Sequence, residues 1–439
     1  MKIIKHTIKI LALSVLTFGT LTSCQDELDI YSENAISPEQ INKENIQFFL
    51  NGLYDNSTPI RDDYFYNDVR GGNYTWTALS GNNSKFGVLI TGNGLDDTNV
   101  FSSSYWQFCY SNIYNANNLI AASEKLDEKR INAETKFIRA AMYYHLVTMF
   151  GDVPLITTNT VENLPRTPKE KVWSLIISDL DYAIENAQNL NQTSSSRVSK
   201  EAAKAFKARV LLYLNMKNEA TNIALEVINQ SNLALDKDYE RIFRATASST
   251  EILFAYKNLT TESNVRLSQL FWPYGTTWAG SYFVQPSDFV LNELYEENDP
   301  RKDINIQKIV NSDGTFNMII SKYTDVQPLI FNRLAEMYFI AAEGLGKDQG
   351  LMYLNQLRSA RSLPHFTAQD FSSDEAYLET VLLERRRELF SEGFLFQDLV
   401  RTDKAIDLPN IPTKNHYVMP LPGSQIILSN GVLIQNDAY

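Results

Sequence analysis

The chain has 439 residues, of which 44% are hydrophobic and 12% aromatic, and its formal net charge is -12 at pH 7. This hydrophobic content is enough for one large core or several smaller ones, which excludes an intrinsically disordered chain. The acidic balance repels phosphate backbones, and no basic stripe interleaved with aromatic residues reverses it locally, so we expect no nucleic acid partner.

The first residues predict an export signal. Three lysines precede an apolar stretch from Ile10 to Phe18, which is too short to remain as a helix across a bilayer. Leu21-Thr22-Ser23-Cys24 resembles a bacterial lipobox, which implies removal of residues 1–23 and acylation of Cys24, palmitate included. Several acyl chains, at about 0.8 kcal/mol per buried CH₂, would form a stable membrane anchor. An ordinary secretory peptide followed by a free cysteine remains the alternative.

Residues 24–36 are a polar tether, and Gln25-Asp26-Glu27 resembles the export tag of lipoproteins that face the cell exterior. A single domain is predicted over residues 37–439. Ser37-Pro38-Glu39 indicates a helix that runs to about Tyr54, because proline suits the first helical turn. Residues 55–102 contain many aromatic residues without a helical or strand period, which predicts a loop region.

Two long helices are predicted next, over about 103–126 and 131–150. The second helix contains most of the segment Glu134–Leu155. One face of this helix carries Phe137, Ala140, Ala141, Tyr144 and Val147. Glycine at position 151 is expected to take the left-handed conformation just past the helix end, and proline at 154 prevents the helix from continuing. Small alanines beside large rings favour close packing against a second helix.

Further helices complete a predominantly all-α prediction. Thr167-Pro168-Lys169-Glu170 is a capping-box pattern for a helix to about Leu190. Helical hairpins of tetratricopeptide type are predicted over 200–228 and over 330–360, with a charged helix over 373–401. The scaffold thus covers 37–243 and 329–439. Between them, residues 244–328 form an irregular, aromatic-rich insertion with minor β structure, including a strand near 251–256.

Five segments together resemble the SusD-like (RagB/SusD) family of outer-membrane nutrient-binding lipoproteins. They are Glu134–Leu155, Asp299-Pro300-Arg301, the helix with Arg333, Glu336 and Ala342-Glu343, the run from Glu384 to Arg401, and the ending with Met419-Pro420-Leu421-Pro422 and Gln435-Asn436. The chain departs from the family at Asp437-Ala438, where Pro-Gly is common. The charged residues of these motifs fit Glu/Arg pairs at helical spacing, which hold helices together.

The resemblance implies a helical scaffold at the cell surface that binds glycans. It also implies a partner, a SusC-like TonB-dependent outer-membrane transporter that receives the captured oligosaccharides. Two alternatives remain open: a helical-repeat adaptor that binds a protein or peptide, and capture of a nutrient that is not a glycan.

A glycan presents apolar C–H faces and a rim of hydroxyl groups, so its binder needs exposed aromatic rings with polar neighbours. The candidate ligand-binding residues are Trp272, Tyr274, Trp278 and Tyr282 in the insertion, with Tyr74 and Trp76 as a second wall. The alternative for each ring is a place in the small core of the insertion itself.

No catalytic constellation, cofactor site or metal site is predicted, and we expect that the protein is not an enzyme. The acidic pairs Asp62-Asp63, Asp96-Asp97 and Glu296-Glu297 are adjacent residues, whereas a glycosidase needs two carboxyl groups that face each other. Cys24 and Cys109 are the only cysteines, so neither a disulfide framework nor a cysteine-based metal cage is available. Cys109 is expected to be a buried small hydrophobe, and His145 a packed residue of its helix.

Overall fold

The computed structural model describes residues 38–59, 61–77, 84–230, 232–258, 265–276, 280–311 and 313–439. The predicted signal peptide, the predicted acylation site Cys24, the tether through residue 36 and the candidate Trp278 lie outside these ranges. Within the described ranges, no helix is both long enough and apolar enough to cross a membrane.

Helices make up most of the described chain. They are α1 (Ile46–Asn56), α2 (Arg61–Tyr64), α3 (Tyr66–Arg70), α4 (Ser84–Thr91), α5 (Val100–Leu126), α6 (Lys129–Phe150), α7 (Lys169–Asn186), α8 (Lys200–Tyr213), α9 (Lys217–Ile228), α10 (Tyr239–Arg244), α11 (Asp288–Asn292), α12 (Pro300–Asn305), α13 (Leu334–Ala360), α14 (Asp374–Glu388), α15 (Leu395–Arg401) and α16 (Gly423–Leu428). From α5 to α9 each helix packs on the next, and α9 also packs on α13. The predicted all-α scaffold of helical hairpins is therefore confirmed.

Within the described ranges, six short strands pair in three antiparallel two-stranded sheets. They are β1 (Tyr74–Trp76), β2 (Ile252–Tyr256), β3 (Val284–Pro286), β4 (Ile306–Val310), β5 (Phe316–Ile320) and β6 (Leu329–Arg333). The pairs are β1 with β3, β2 with β6 and β4 with β5. The predicted strand near 251–256 is confirmed as β2, and the insertion carries the minor β structure that was expected.

Several sequence predictions need correction. The helix expected from Pro38 to about Tyr54 is a short 3₁₀ helix over Pro38–Gln40, followed by α1, which starts only at Ile46. The later hairpin does not begin as a helix at Ile330, because residues up to Arg333 form β6 against β2, and α13 starts only at Leu334. The charged helix over 373–401 is interrupted between Glu388 and Leu395. The supposed loop region 55–102 contains α2, α3, β1 and α4, elements too short to leave a periodic signal.

The end of α6 shows how the Gly-Asp-Val-Pro segment works. Gly151 has a positive φ of +74°, but its ψ of -123° lies outside the left-handed helical region that was expected. Val153 forms an isolated antiparallel bridge with Thr167. The capping-box pattern at Thr167 does not cap α7, because α7 starts at Lys169 and its N-cap residue is Pro168, one position after Thr167. Instead the carboxylate of Asp152 accepts a hydrogen bond of 2.9 Å from the backbone N–H of Lys169, the first residue of α7. A residue that follows the end of α6 therefore caps the N-terminus of α7.

The core is organised around α6. The ring of Phe137 is fully buried and makes edge contacts with Phe206, Phe254 and Phe331 at centroid distances of 5.4, 5.5 and 5.5 Å. These partners come from α8, β2 and β6, so one side chain joins the helical scaffold to the sheet that borders the insertion. Cys109 is buried as predicted.

A buried ion network ties the insertion to the C-terminal helices. Arg333 donates hydrogen bonds to Glu388 and Glu392, each at 2.8 Å, and pairs also with Glu251. Burial alone would raise the pKa of Glu388, but the guanidinium groups of Arg361 and Arg333 hold it well below its usual range. The sequence pattern predicted Glu/Arg pairs along single helices. Most pairs in this cluster instead join different elements, because only the fold brings them together.

Candidate functional site

Strand pairing brings the two predicted aromatic walls together. In the β1–β3 sheet Trp76 stands opposite Val284, and the hydroxyl of Thr77 donates a 2.8 Å hydrogen bond to the carbonyl oxygen of Tyr282. The backbone N–H of Tyr282 in turn donates to the carbonyl oxygen of Trp272 at 3.0 Å. The segment that carries Trp76 is therefore linked through Tyr282 to the part of the insertion that carries Trp272 and Tyr274.

A glycine makes this arrangement possible. A Cβ at Gly280 would lie 1.7 Å from the carbonyl oxygen of Trp272, which no side chain can tolerate. Only glycine lets residues 280 and 272 approach so closely.

Three of the six candidate rings are buried, which corrects the expectation that they stand exposed. Tyr74, Trp272 and Tyr282 have exposed fractions of 2%, 8% and 4%. Their polar atoms are bonded within the protein: the hydroxyl of Tyr74 to Ser391, the indole N–H of Trp272 to the Tyr323 carbonyl, and the hydroxyl of Tyr282 to the Met318 carbonyl. Burial raises the pKa of Tyr282 to about 12. These rings belong to the main hydrophobic core, which extends from the helical scaffold into the insertion.

Two candidate rings face solvent. Trp76 is 50% exposed, and a Cβ at Gly87 of α4 would lie 3.9 Å from ring atom Cε3, so α4 supports part of the indole from below. Tyr274 is 95% exposed and sits in a turn closed by a 2.8 Å hydrogen bond from the Thr276 hydroxyl to the Pro273 carbonyl. We call the surface that presents Trp76 and Tyr274 the insertion face. The sixth candidate, Trp278, is not among the described residues.

Several polar groups near the insertion face were not predicted from the sequence. A guanidinium nitrogen of Arg61 donates a 2.8 Å hydrogen bond to the side-chain oxygen of Gln269, and the same guanidinium lies 5.9 Å from the ring centroid of Phe283. Gln285 of β3 accepts a hydrogen bond from Tyr282 at 3.1 Å. Such groups suit the hydroxyl rim of a sugar. No local signal identifies them, because Arg61 and Gln269 are 208 positions apart.

One carboxylate in each of two acidic pairs is engaged by partners within the protein. Glu296 forms ion pairs with Arg358 and Arg387 at 2.9 and 2.6 Å, and its pKa is lowered chiefly by the hydrogen bond from Arg358. Asp96 accepts hydrogen bonds from Thr98 in a tight turn, which lower its pKa. The side chains of Asp62 and Asp63 are not described. Among the described residues, no group of three or more His, Cys, Asp and Glu side chains could hold a metal ion.

His145 packs into its helix, as expected. Its ring makes edge contacts with Tyr105 and Tyr144 at centroid distances of 5.7 and 6.0 Å. Burial, with a smaller contribution from the Arg209 charge, lowers the pKa of His145 to about 4. The imidazole is therefore neutral at physiological pH and belongs to the scaffold.

Two sequence profiles match the chain. One, described as starch-binding and associating with the outer membrane, matches residues 27–212, and the other, described as the SusD family, matches residues 169–439. Among curated proteins, SusD-like protein P38 of Formosa agariphila is 28% identical, and the match covers 98% of this chain and 99% of that protein.

Solved structures share the fold. A laminarin-binding SusD-like protein has a TM-score of 0.78 at 22% identity, covering 91% of this chain and all of that one. Surface glycan-binding protein A of Bacteroides thetaiotaomicron, solved in complex with laminarihexaose, has a TM-score of 0.77 at 18% identity, covering 90% of this chain and 99% of that one. Similarity at these identities establishes the architecture and leaves the ligand to be argued from the site.

Proposed function

The chain belongs to the SusD family, since one profile of that family matches more than half of its length, and on this premise we propose a surface lipoprotein that captures glycans. It binds oligosaccharides or polysaccharides outside the cell, anchored through Cys24, and delivers them to a SusC-like TonB-dependent transporter. The family as described by the other matching profile associates with the outer membrane. The proposal assigns no catalytic step to the protein.

The observation that carries the proposal is the insertion face. Trp76 and Tyr274 keep 50% and 95% of their surface exposed although neighbouring rings of the same segments are buried. Exposed aromatic rings cost hydrophobic free energy unless a ligand covers them. Flat rings that receive apolar C–H faces, beside the side-chain amides of Gln269 and Gln285, are suited to a sugar.

The expected affinity is modest. Two platforms that contribute about 1 to 1.5 kcal/mol each supply only about 2 to 3 kcal/mol, which is less than millimolar binding requires, before association costs. Polar contacts and repeated engagement of one polymer must add the rest. An open face, across which a chain can extend, suits this multivalent capture.

Glucans are the first ligands to test, because the neighbouring structures are named for laminarin and laminarihexaose. The unacylated mature chain, carrying Cys24→Ser, is examined by affinity electrophoresis and calorimetry against laminarin, starch and a neutral mannan. Retention by at least one polysaccharide is expected. Absence of binding across a broad extension of this panel would refute glycan capture.

Single variants then locate the site. Trp76→Ala and Tyr274→Ala are expected to weaken retention while the melting temperature stays constant. Met352→Ala on α13 is a matched control, because Met352 is 54% exposed, close to the value for Trp76, but lies on the scaffold. Unchanged retention in both aromatic variants, with an intact fold, would favour the protein- or peptide-binding adaptor.

A further inference from the structure

A second concave surface lies on the helical scaffold, away from the residues of the insertion face. It is a groove of about 470 Å³ between α1 and α5. Its walls include Phe48 and Gly52 of α1, and Tyr114, Asn115 and Asn118 of α5. We call it the α1–α5 groove. Its width is held by a 3.1 Å hydrogen bond from the side-chain amide of Asn112 to the carbonyl oxygen of Asn56, which joins the two helices.

Two aromatic rings in the groove face solvent. Phe48 is 72% exposed and Tyr114 is 53% exposed, whereas the core face of α1, with Leu50 and Leu53, is buried. Both rings therefore lie outside the packing that holds α1 to the scaffold. Two exposed rings that line one groove resemble the platforms of the insertion face more than they resemble a core.

Gly52 keeps the groove open. It lies in the interior of α1, where glycine weakens a helix relative to alanine. A Cβ at this position would meet no atom within 4 Å, so the folded protein has no steric need for glycine here. A side chain at position 52 would instead project into the groove, which suggests that the space itself is used.

The groove favours an uncharged ligand. Every described residue along its walls is uncharged, and α5 contains no Asp, Glu, Lys or Arg from Val100 to Ser123, although 21% of the chain is charged. Asn56 and Asn115 expose their side chains, and Asn118 accepts a 2.8 Å hydrogen bond from Asn159, which leaves its own amide N–H groups to donate. Charge complementarity thus selects a neutral molecule that carries both apolar faces and hydroxyl groups.

A protein partner fits this composition less well. Protein interfaces are enriched in Tyr, Trp, Phe, Met and Arg and depleted in Lys, Glu and Asp, so the rings of Phe48 and Tyr114 alone do not distinguish a protein partner from a sugar. The side-chain amides of Asn56, Asn115 and Asn118 line the same groove and favour the sugar. Amides beside an exposed ring are complementary to the hydroxyl groups and apolar faces of a saccharide.

We propose that the α1–α5 groove is a second saccharide-binding site, which takes an uncharged segment of a glycan between Phe48 and Tyr114. The class of ligand rests on the proposed function, but the site shares no residue with the insertion face. Two separate sites on one chain would hold a long polymer more tightly than either site alone, since the second contact forms at a high effective concentration.

The number of sites per chain is the direct test. Calorimetry of the mature chain with hexasaccharide fragments of each polysaccharide in the panel is expected to give two bound molecules per protein. Gly52→Leu has open space for its Cβ and places a large side chain at the groove wall, so it is expected to reduce this number to one. Gly52→Ala is the matched control: it strengthens the helix in the same way, adds only a methyl group, and should keep two. Tyr114→Ala should weaken the second site about tenfold.

The insertion-face variants provide the reciprocal test. Trp76→Ala with Tyr274→Ala should remove the other site and leave the groove site, and the combination with Gly52→Leu should remove both. One bound molecule in the wild type and no change in Gly52→Leu would overturn the groove proposal while glycan capture stands. No binding by the wild type would refute the proposed function itself. Gly52→Leu could also leave the number of bound saccharides unchanged and reduce the amount of transporter that co-purifies with the protein. This result would overturn the proposal, because the groove would then bind a protein partner.

Discussion

The helix α6 and the insertion face are both rich in aromatic residues, yet they use them in opposite ways. In α6 the rings of Phe137, Tyr143 and Phe150 are fully buried, whereas Trp76 and Tyr274 stand 50% and 95% exposed. The buried rings join elements that are distant in sequence, and the exposed rings join nothing within the chain. The comparison predicts that substitutions in α6 change stability without changing intrinsic affinity, and that substitutions in the insertion face do the reverse.

The largest expected effect is a loss of stability caused by a substitution in the scaffold helix α6. Phe137→Ala should lower the free energy of unfolding by about 3 to 5 kcal/mol, because it leaves a cavity where four rings meet. Chemical denaturation measures the loss, and calorimetry of the variant that remains folded should give wild-type glycan affinity. Weaker affinity at an unchanged melting temperature would break the separation between the two regions.

A substitution in the buried ion network tests whether the insertion depends on the scaffold. Arg333→Met should cost about 3 to 5 kcal/mol, since Glu251, Glu388 and Glu392 would lose a shared cation in a buried site. Thermal and denaturant unfolding report the change. The control is Lys404→Met, which removes an exposed pair with Glu379 and should change stability by less than about 1 kcal/mol. Equal effects of the two variants would contradict the role of burial.

The pH dependence of stability should reveal His145. The pKa of His145 in the folded protein is about 4, below the ordinary value of 6.5. Between these two values the unfolded chain binds a proton on His145 and the folded protein does not. His145 has no effect above pH 6.5, and stability is lost as pH falls from 6.5 towards 4, by up to about 1.4 kcal/mol per pH unit. His145→Gln should flatten the curve of melting temperature against pH in this window. An unchanged slope would show that the ring is protonated in the folded protein.

Substitutions on the insertion face are expected to change the free energy of glycan binding by smaller amounts. Each of Trp76→Ala and Tyr274→Ala should weaken glycan affinity by about 0.5 to 1.5 kcal/mol, or roughly two- to tenfold. The free energy of unfolding should change by less than about 0.5 kcal/mol, because exposed side chains carry little packing. Calorimetry and denaturation on the same preparations compare the two quantities. A large loss of stability in Tyr274→Ala would show that its ring is structural.

The smallest expected effect is a gain in stability. Gly52→Ala should raise the free energy of unfolding by about 0.5 to 1 kcal/mol, since alanine favours the helix and has open space at this position. Denaturant unfolding measures it. A loss of stability would mean that glycine is needed for the fold of α1, and would remove one support for the groove.

Sequence periodicity predicted the long helices well and the short elements poorly. The helices α5 to α9 extend over enough turns for their apolar face to be visible, and glycine at 151 with proline at 154 predicted the stop after α6. The strand β6 was mistaken for the start of α13, because five buried residues have no period of their own and acquire strand geometry only by pairing with β2. The cap of α7 was assigned to Thr167, whereas the carboxylate of Asp152 performs it across 17 positions.

What the sequence determined by itself is the helical scaffold, the composition that excludes disorder and the segments that resemble the SusD-like family, because these depend on local spacing and residue type. Only the tertiary structure decided which aromatic rings of the insertion are core and which are surface. Trp272 and Tyr274 are two positions apart, yet one is 8% and the other 95% exposed. The indole N–H of Trp272 is satisfied by the carbonyl of Tyr323, a residue 51 positions away. Burial of a ring depends on such distant partners, and only folding brings them within reach.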